Sequence, residues 1–129
     1  MKDMLTIIYK KLSTNPVIAL HCEGRIKFYD YPETGETDKP FMIIEPLDVP
    51  AAAFYGSDQE LAITHHYQVD VQSRVRMICK EVQKAVGEEM QGLGFWQQPN
   101  GLDTYFSETA RFVDARKYKG TTKLYDTQY

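Results

Sequence analysis

The sequence predicts a two-layer α+β fold: a mainly antiparallel sheet of four to five strands, with an N-terminal helix and one long helix packed on it. Residues 61–72 alternate strictly between apolar and polar side chains, which is typical of a long strand with one buried face. Residues 74–91 carry an apolar stripe at helical spacing. The length of 129 residues and the 43% hydrophobic content indicate a single domain over residues 1–129.

Two helices are predicted before the first strand. Residues 2–13 place apolar side chains at helical spacing, and Asp3 is a suitable N-cap. Asn15 and Pro16 begin a second, short helix, because proline lacks an amide that the first helical turn would leave unbonded. Gly24 is expected to end this helix in the left-handed conformation.

Two strands and two loops are predicted next. Residues 25–31 alternate in polarity and favour a strand, and the apolar run 41–44 predicts a second, antiparallel strand. The segments 32–40 and 48–60 contain proline, glycine and acidic residues, so we expect both to be loops.

The C-terminal half is predicted to begin with the long helix. Ser73 is its expected N-cap, and Gly92 and Gly94 are expected to end it. The rest of the chain is predicted to form, in order, a short strand at 93–98, a turn at 99–101, a strand within 109–118 and a flexible polar tail at 119–129.

Composition excludes several classes of protein. The net charge of −3 argues against broad nucleic-acid binding, which needs a basic surface. The apolar stretch near the N-terminus is interrupted by two lysines and by Asn15 and Pro16, so neither a signal peptide nor a membrane span is expected. Cys22 and Cys79 are expected to be reduced thiols of a protein made in the cytoplasm.

No arrangement of residues predicts catalysis. His65 and His66 point to opposite faces of the long strand, and His66 lies about 13 Å from Asp70 along it, so neither pair forms a metal site or a dyad. Cys79 falls on the apolar stripe of the long helix and is expected to be a buried hydrophobic residue. We therefore expect no catalytic residue, no metal and no cofactor.

Charge is distributed unevenly. Residues 30–60 contain eight acids and one base, a local charge of −7, whereas basic residues collect near the C-terminus. These regions are either two solvated faces or the two sides of a head-to-tail contact that closes a ring. Phe54 and Tyr55, in the predicted loop, are candidate aromatic anchors, whereas Phe95 is expected in the core. The candidate ring or partner contacts are Glu33, Glu36, Asp38, Phe54, Tyr55, Asp58, Arg111, Arg116, Lys117 and Lys119.

The layout over about residues 3–120 resembles the small tail-completion or tail-terminator proteins of long-tailed bacteriophages and prophages. The resemblance is carried by the N-terminal helix, Gly-Arg-Ile at 24–26, Lys-Pro-Phe-Met-Ile-Ile at 39–44, Tyr-Gln-Val-Asp-Val at 67–71, a long helix with Val82 and Val86, and a final strand at 111–118.

This resemblance implies a structural virion-assembly protein at the head-tail joint, made in the cytoplasm of the bacterial host. It implies a homo-hexameric ring that ends the tail tube and contacts the tail tube protein and the head-completion or connector protein. DNA would pass through the ring without specific binding, and the family has no enzymatic activity and no cofactor. We expect the acids of 30–60 to line the channel or the ring joint.

Other function classes stay open. A small-molecule-binding module or enzyme would use the polar face of the long strand, formed by Thr64, His66, Gln68 and Asp70. A nucleic-acid binder would use the basic C-terminal segment. A head-closure or other minor virion protein would share the same pattern.

Overall fold

The computed structural model describes residues 3–32, 37–49, 51–55 and 60–123. Along the chain these residues form α1 (Met4–Ser13), α2 (Pro16–Cys22), β1 (Ile26–Phe28), β2 (Phe41–Pro46), β3 (Ala51–Tyr55), β4 (Glu60–Ser73), α3 (Arg76–Gly92), β5 (Phe95–Phe106) and β6 (Arg111–Lys123).

One sheet organises the described residues. Its strand order is β1-β2-β4-β6-β5, and β3 pairs with β4 beyond the end of β2. The pairs are antiparallel except β1 with β2, which is parallel. The helix α3 packs on β4, β5 and β6, while α1 and α2 pack on β2 and on α3. The predicted α+β fold, with its N-terminal helix and longer helix, is confirmed.

The alternation in β4 separates a covered face from an open face. Residues at odd positions from Ile63 to Val71 are buried beneath the helices, and the intervening residues are half-buried on the other side. We call this second side the open face; in β4 it consists of Thr64, His66, Gln68, Asp70 and Gln72.

The predicted helix caps Asp3 and Asn15 are confirmed. The Asp3 side chain accepts a hydrogen bond from the amide of Leu5 at 3.2 Å. Asn15 accepts from the amides of the first turn of α2 and donates to Glu89 at 2.9 Å, which joins α2 to α3. Gly24 follows α2 with φ +76°, as its left-handed role requires.

One predicted loop contains a strand. Within 48–60, the segment Ala51–Tyr55 forms β3, so Phe54 and Tyr55 lie in a strand and the sheet has six strands among the described residues. Alanine has weak strand propensity and gives no polarity alternation, so local sequence did not signal β3. Its backbone pairing with β4 supplies the order instead.

The direction of β2 also differs from the prediction. It lies parallel to β1, with Ile26 opposite Met42, and antiparallel to β4. A parallel pair needs a long connection, and residues 29–40 provide it. The strand β1 is shorter than predicted, because Tyr29 at φ +66° turns the chain away after Phe28.

The last two strands are longer than predicted. The strand β5 continues through the predicted turn at 99–101 by a bulge, in which Asn100 has φ +72°. The strand β6 extends to Lys123, so residues 119–123 of the predicted tail are part of the sheet, and 124–129 lie outside the described residues. The predicted N-cap at Ser73 is wrong, because α3 begins at Arg76 and its N-cap is Val75. The Ser73 hydroxyl accepts a hydrogen bond from the amide of Val75 at 3.0 Å, just before the helix.

Gly120 lies where a side chain does not fit. It is buried opposite Phe95 in the β5–β6 pairing, and a Cβ at this position would lie 2.7–2.8 Å from the Phe95 ring. The ring therefore packs directly over the glycine backbone, which ties the first residue of β5 to the centre of the covered face.

We expect Gly120→Ala to lower the free energy of unfolding by about 1–3 kcal/mol, because the added methyl group overpacks the Phe95 ring. Urea denaturation followed by circular dichroism measures this. Gly92→Ala is the matched control, since nothing lies within 4 Å of its added Cβ. Equal stability of the two variants would contradict the packing described here.

Candidate functional site

The basic residues of β6 lie on two faces because the strand alternates. Arg111, Lys117 and Lys119 occupy odd positions, which places them on the open face beside the polar residues of β4. Arg116 occupies an even position and lies on the face covered by α3. The structure therefore places three of the four predicted basic residues on the open face and the fourth on the covered face.

Accessibility differs along this basic row. Arg111 is half-buried: its Nε donates to Gln72 Oε1 at 3.3 Å, and its guanidinium lies 5.2 Å from the centre of the Phe41 ring. Lys119 is exposed and lies opposite Trp96, which is 58% exposed at the start of β5. The most accessible part of this row is therefore Lys119, together with Trp96 opposite it at the start of β5.

Arg116 belongs to an ion cluster between α3 and the sheet. Its Nε lies 2.9 Å from Oδ1 of Asp114, a side chain that is 4% exposed. Lys80 Nζ lies 2.6 Å from Asp114 Oδ2 and also contacts Asp103. Burial lowers the pKa of Lys80, but the hydrogen bonds to the two carboxylates outweigh it, so the net pKa is raised. Both cations are thus held charged around one buried carboxylate.

A small cleft opens beside this cluster. Gln83 is fully buried, and its amide nitrogen donates to the carbonyls of Val69 and Asp114 at 2.9 and 2.7 Å. Its Oε1 and the Tyr118 hydroxyl are buried without a hydrogen-bond partner in the described part of the chain. Both residues line a cleft of about 210 Å³ above Gly87, whose missing side chain leaves it open. A space of this size suits ordered water or one side chain.

Four of the five described acids of 30–60 lie near β1 and β2, and the fifth, Glu60, begins β4. Asp30 follows β1, and Asp38, Glu45 and Asp48 precede, lie within or follow β2. Asp38 contacts Arg74 at 3.0 Å, and Asp48 contacts His66 at 2.9 Å. Acids therefore outnumber bases near β1 and β2, where Lys27 and Arg74 also lie, whereas bases outnumber acids on β6.

Several candidate contact residues cannot be placed. Glu33, Glu36 and Asp58 lie outside the described residues, and the side chains of Phe54 and Tyr55 are also outside the description. Whether these residues contact a partner stays a prediction. Phe95, by contrast, is buried, and its expected place in the core is confirmed.

The two adjacent histidines have different surroundings, as their opposite faces predict. His65 is 1% exposed, and its ring lies 6.1 Å from that of Phe95. Burial, together with the neighbouring His66, lowers the pKa of His65 to about 4. His66 is half-exposed and contacts Asp48, so it forms no dyad with Asp70.

Asp70 is the unusual carboxylate of the open face. Burial raises its pKa to about 6, although a 3.3 Å hydrogen bond from Gln72 lowers it, and nearby Glu45 adds to the rise. Both cysteines are buried as well, and burial raises the pKa of Cys22 to about 12 and that of Cys79 to about 11. Neither thiol is therefore a ready nucleophile.

Comparison with known proteins finds similarity at the level of structure. No protein-family model matches the sequence, and no curated protein matches it either. A chain in the solved structure "Virion of native gene transfer agent (GTA) particle" superposes with a TM-score of 0.64 and 12% sequence identity. The match covers 90% of this chain and 91% of that chain. The two chains share a fold.

The described residues lack two features. None of the helices they form is long and apolar enough to cross a membrane. Within the same residues, no three His, Cys, Asp or Glu side chains cluster closely enough to hold a metal ion.

Sequence reasoning missed an apolar groove on the β1–β2 side of the sheet. It is lined by Tyr29, Pro46, Leu47 and Val49 together with the start of α1. The available signal was the pair of apolar residues on either side of Asp48, between Pro46 and Pro50. The cleft at Gln83 had no such signal, because it depends on where α3 crosses β6.

We expect Asp114→Ala to lower the free energy of unfolding by about 3–5 kcal/mol, because Arg116 and Lys80 would lose their buried counter-charge. Asp103→Ala is the control: this carboxylate is 58% exposed and contacts the same lysine, so its loss should cost less than about 1 kcal/mol. Thermal and urea denaturation of both variants measure the difference. Equal losses would contradict a cluster centred on Asp114.

Asp70 makes the protein less stable as pH rises. Its pKa is about 6 in the folded state against an ordinary 3.8, so the folded state binds more protons between these values and loses stability as pH increases through them. We expect Asp70→Asn to match the wild type near pH 3.5 and to exceed it by about 1–3 kcal/mol at pH 7. Urea denaturation across this pH range provides the test.

His65 supplies the opposite control. Its pKa is lowered from 6.5 to about 4, so it contributes stability above pH 6.5 that is lost as pH falls towards 4. His65→Gln should therefore remove a rise of stability with pH in the window where Asp70→Asn removes a fall. Parallel curves for Asp70→Asn and the wild type would contradict the raised pKa.

Proposed function

We propose that this chain is a structural virion protein that forms a ring at the end of a phage-type tail tube, ends the tube and joins it to the head connector. The observation that carries the proposal is the shared fold with a chain from a gene transfer agent virion, which extends over nine-tenths of both chains. The sequence resemblance to tail-terminator proteins supports the finer assignment to the head-tail joint.

Separated charge supports ring formation. Four of the five described acids of 30–60 lie on the β1–β2 side of the sheet, and the bases of β6 lie nearer the β5 edge. A contact between two different surfaces repeats head to tail and closes when the rotation between subunits divides a full turn. Acids that face the channel would repel the DNA backbone and so let DNA pass without binding.

The proposal gives the chain no catalytic role. His66 and Asp70 are the titratable residues of the polar face of β4, and they contact Asp48 and Gln72 respectively. A ring protein carrying both His66→Ala and Asp70→Asn should still assemble, whereas an enzyme that used this face should lose its activity. The double variant therefore serves as a control in the experiment below.

Deletion of the gene tests the proposal directly. The gene is deleted from the phage or prophage that encodes the chain, and particle production is then induced. We expect negative-stain electron microscopy to show full heads beside unattached or overlong tails. Wild-type protein and the His66→Ala/Asp70→Asn variant, supplied in trans, should each restore joined particles.

The outcomes separate the candidate functions. Normal infectious particles from the deletion strain would contradict a role at the head-tail joint. Rescue by the wild type but not by a folded double variant would favour the ligand-binding or enzymatic alternative on the open face. A deletion strain that lacks heads, or lacks tails, would indicate that the chain acts at another position in the virion.

A further inference from the structure

The apolar groove on the β1–β2 side is open to a partner. It measures about 520 Å³ and lies between the start of α1, Tyr29 and the segment that follows β2. Tyr29 is 63% exposed, Leu47 40% and Val49 85%. Contiguous exposed apolar side chains of this kind mark interaction surfaces in proteins that are otherwise polar. We call this feature the edge groove.

A second apolar surface lies on the opposite edge strand. In β5, Leu102, Tyr105 and Phe106 are between 42% and 49% exposed. Leu102 and Phe106 are four residues apart on the open face, where they pair with Ala115 and Arg111. These two side chains form a pair of apolar projections about 13 Å apart by the rise of a strand.

Strand addition does not account for this edge. Among the described strands, β5 pairs with β6 alone, which leaves its outer edge available. Pro99 and the bulge between Gln98 and Leu102 interrupt the edge near its middle, as in strands that are protected from continuous pairing. A partner is therefore expected to engage the side chains of β5 in preference to its backbone.

The two surfaces cannot meet within one chain. The edge groove borders β1 and β2 and includes Tyr67 of β4, and the projections lie on β5 beyond β6, so at least two strand spacings, about 10 Å, separate the two surfaces. A contact between them must join two molecules, and it is head-to-tail because each molecule contributes a different surface.

Charge is complementary across such a contact. Asp3 and Asp48 line the edge groove, Asp48 also contacts His66, and Asp30 follows the adjacent Tyr29. At the end of β5, Arg111 lies opposite Phe106, and Arg76 lies near enough to Asp103 to lower the pKa of that carboxyl. Asp103 is already paired with Lys80, so its charge is balanced. The remaining charges at this end of β5 are the two arginines and Glu108 in the adjoining turn, which leaves a net positive charge.

We propose that the edge groove of one molecule receives Leu102 and Phe106 from the next copy of this chain. The proposal rests on the proposed function in one respect, namely that the molecules repeat as a ring. It names the two surfaces that join them, the aliphatic and aromatic side chains that fill the groove, and the acidic and basic residues that set their orientation.

Cysteine cross-linking tests this contact in the purified full chain. Val49→Cys and Leu102→Cys are placed on separate molecules, mixed at about millimolar concentration and treated with a mild oxidant. The natural cysteines do not interfere, because both are buried and their pKa values are raised to about 12 and about 11. Leu20→Cys, at a residue 74% exposed on α2, replaces Val49→Cys in the control mixture.

We expect disulfide-linked dimer from the mixture of V49C with L102C at a yield at least tenfold above the control mixture. Each variant alone should give only the background yield, and a chain carrying both cysteines should give a ladder of multimers. Circular dichroism melting of each variant confirms that it is folded. A mixture no better than the control overturns the proposal, as does strong dimerisation of V49C alone, which indicates a two-fold contact.

The result is independent of the deletion experiment. If cross-linking fails but the deletion strain yields unjoined heads and tails, the proposed contact is wrong and the proposed role in the virion is kept. Specific cross-linking with normal particles would keep the contact and remove the role at the head-tail joint.

Discussion

The pairing of β4 along both of its edges is the constraint on which the rest of the structure depends. One edge is shared between β2 and β3, and the other pairs with β6 from Ala62 to Ser73. Because side chains alternate along a strand, this register places Ile63, Tyr67, Val69 and Val71, together with His65, on the covered face, and the residues between them on the open face. A shift of one residue would exchange the two faces, so the buried face and the register specify each other.

Two polar side chains on the covered face, Asp114 and Gln83, are held by specific contacts. Asp114 lies in the row of β6 that faces α3, and its carboxylate is neutralised by Arg116 from its own strand and by Lys80 from the helix. Gln83 binds carbonyls of both central strands and thereby fixes where α3 crosses the sheet. An apolar stripe alone permits a helix to slide or rotate by a small amount, whereas these directional bonds select one position.

The two sides of the sheet differ in a way that suits repeated assembly. Acids and an apolar groove lie near β1 and β2, while bases and apolar projections lie on β6 and β5. Such asymmetry disfavours a two-fold dimer, in which like surfaces meet, and favours a polar repeat. The proposed ring and the proposed contact both draw on this property, which arises from strand order and therefore from the pairing of β4.

Residue patterns alone determined the identity of most elements, the caps at Asp3 and Asn15, and the division of β4 into two faces, because these depend on neighbours within a few positions. They also determined that charge is uneven along the chain. Tertiary structure decided the rest. The segment β3 and residues 119–123 form strands because their backbones pair with β4. The direction of β2 is set by its place between β1 and β4. The ion cluster around Asp114, and the edge groove itself, exist only once distant segments are packed together. Local sequence records the preference of a residue for a strand or a helix, but hydrogen bonds between strands distant in sequence choose their neighbours.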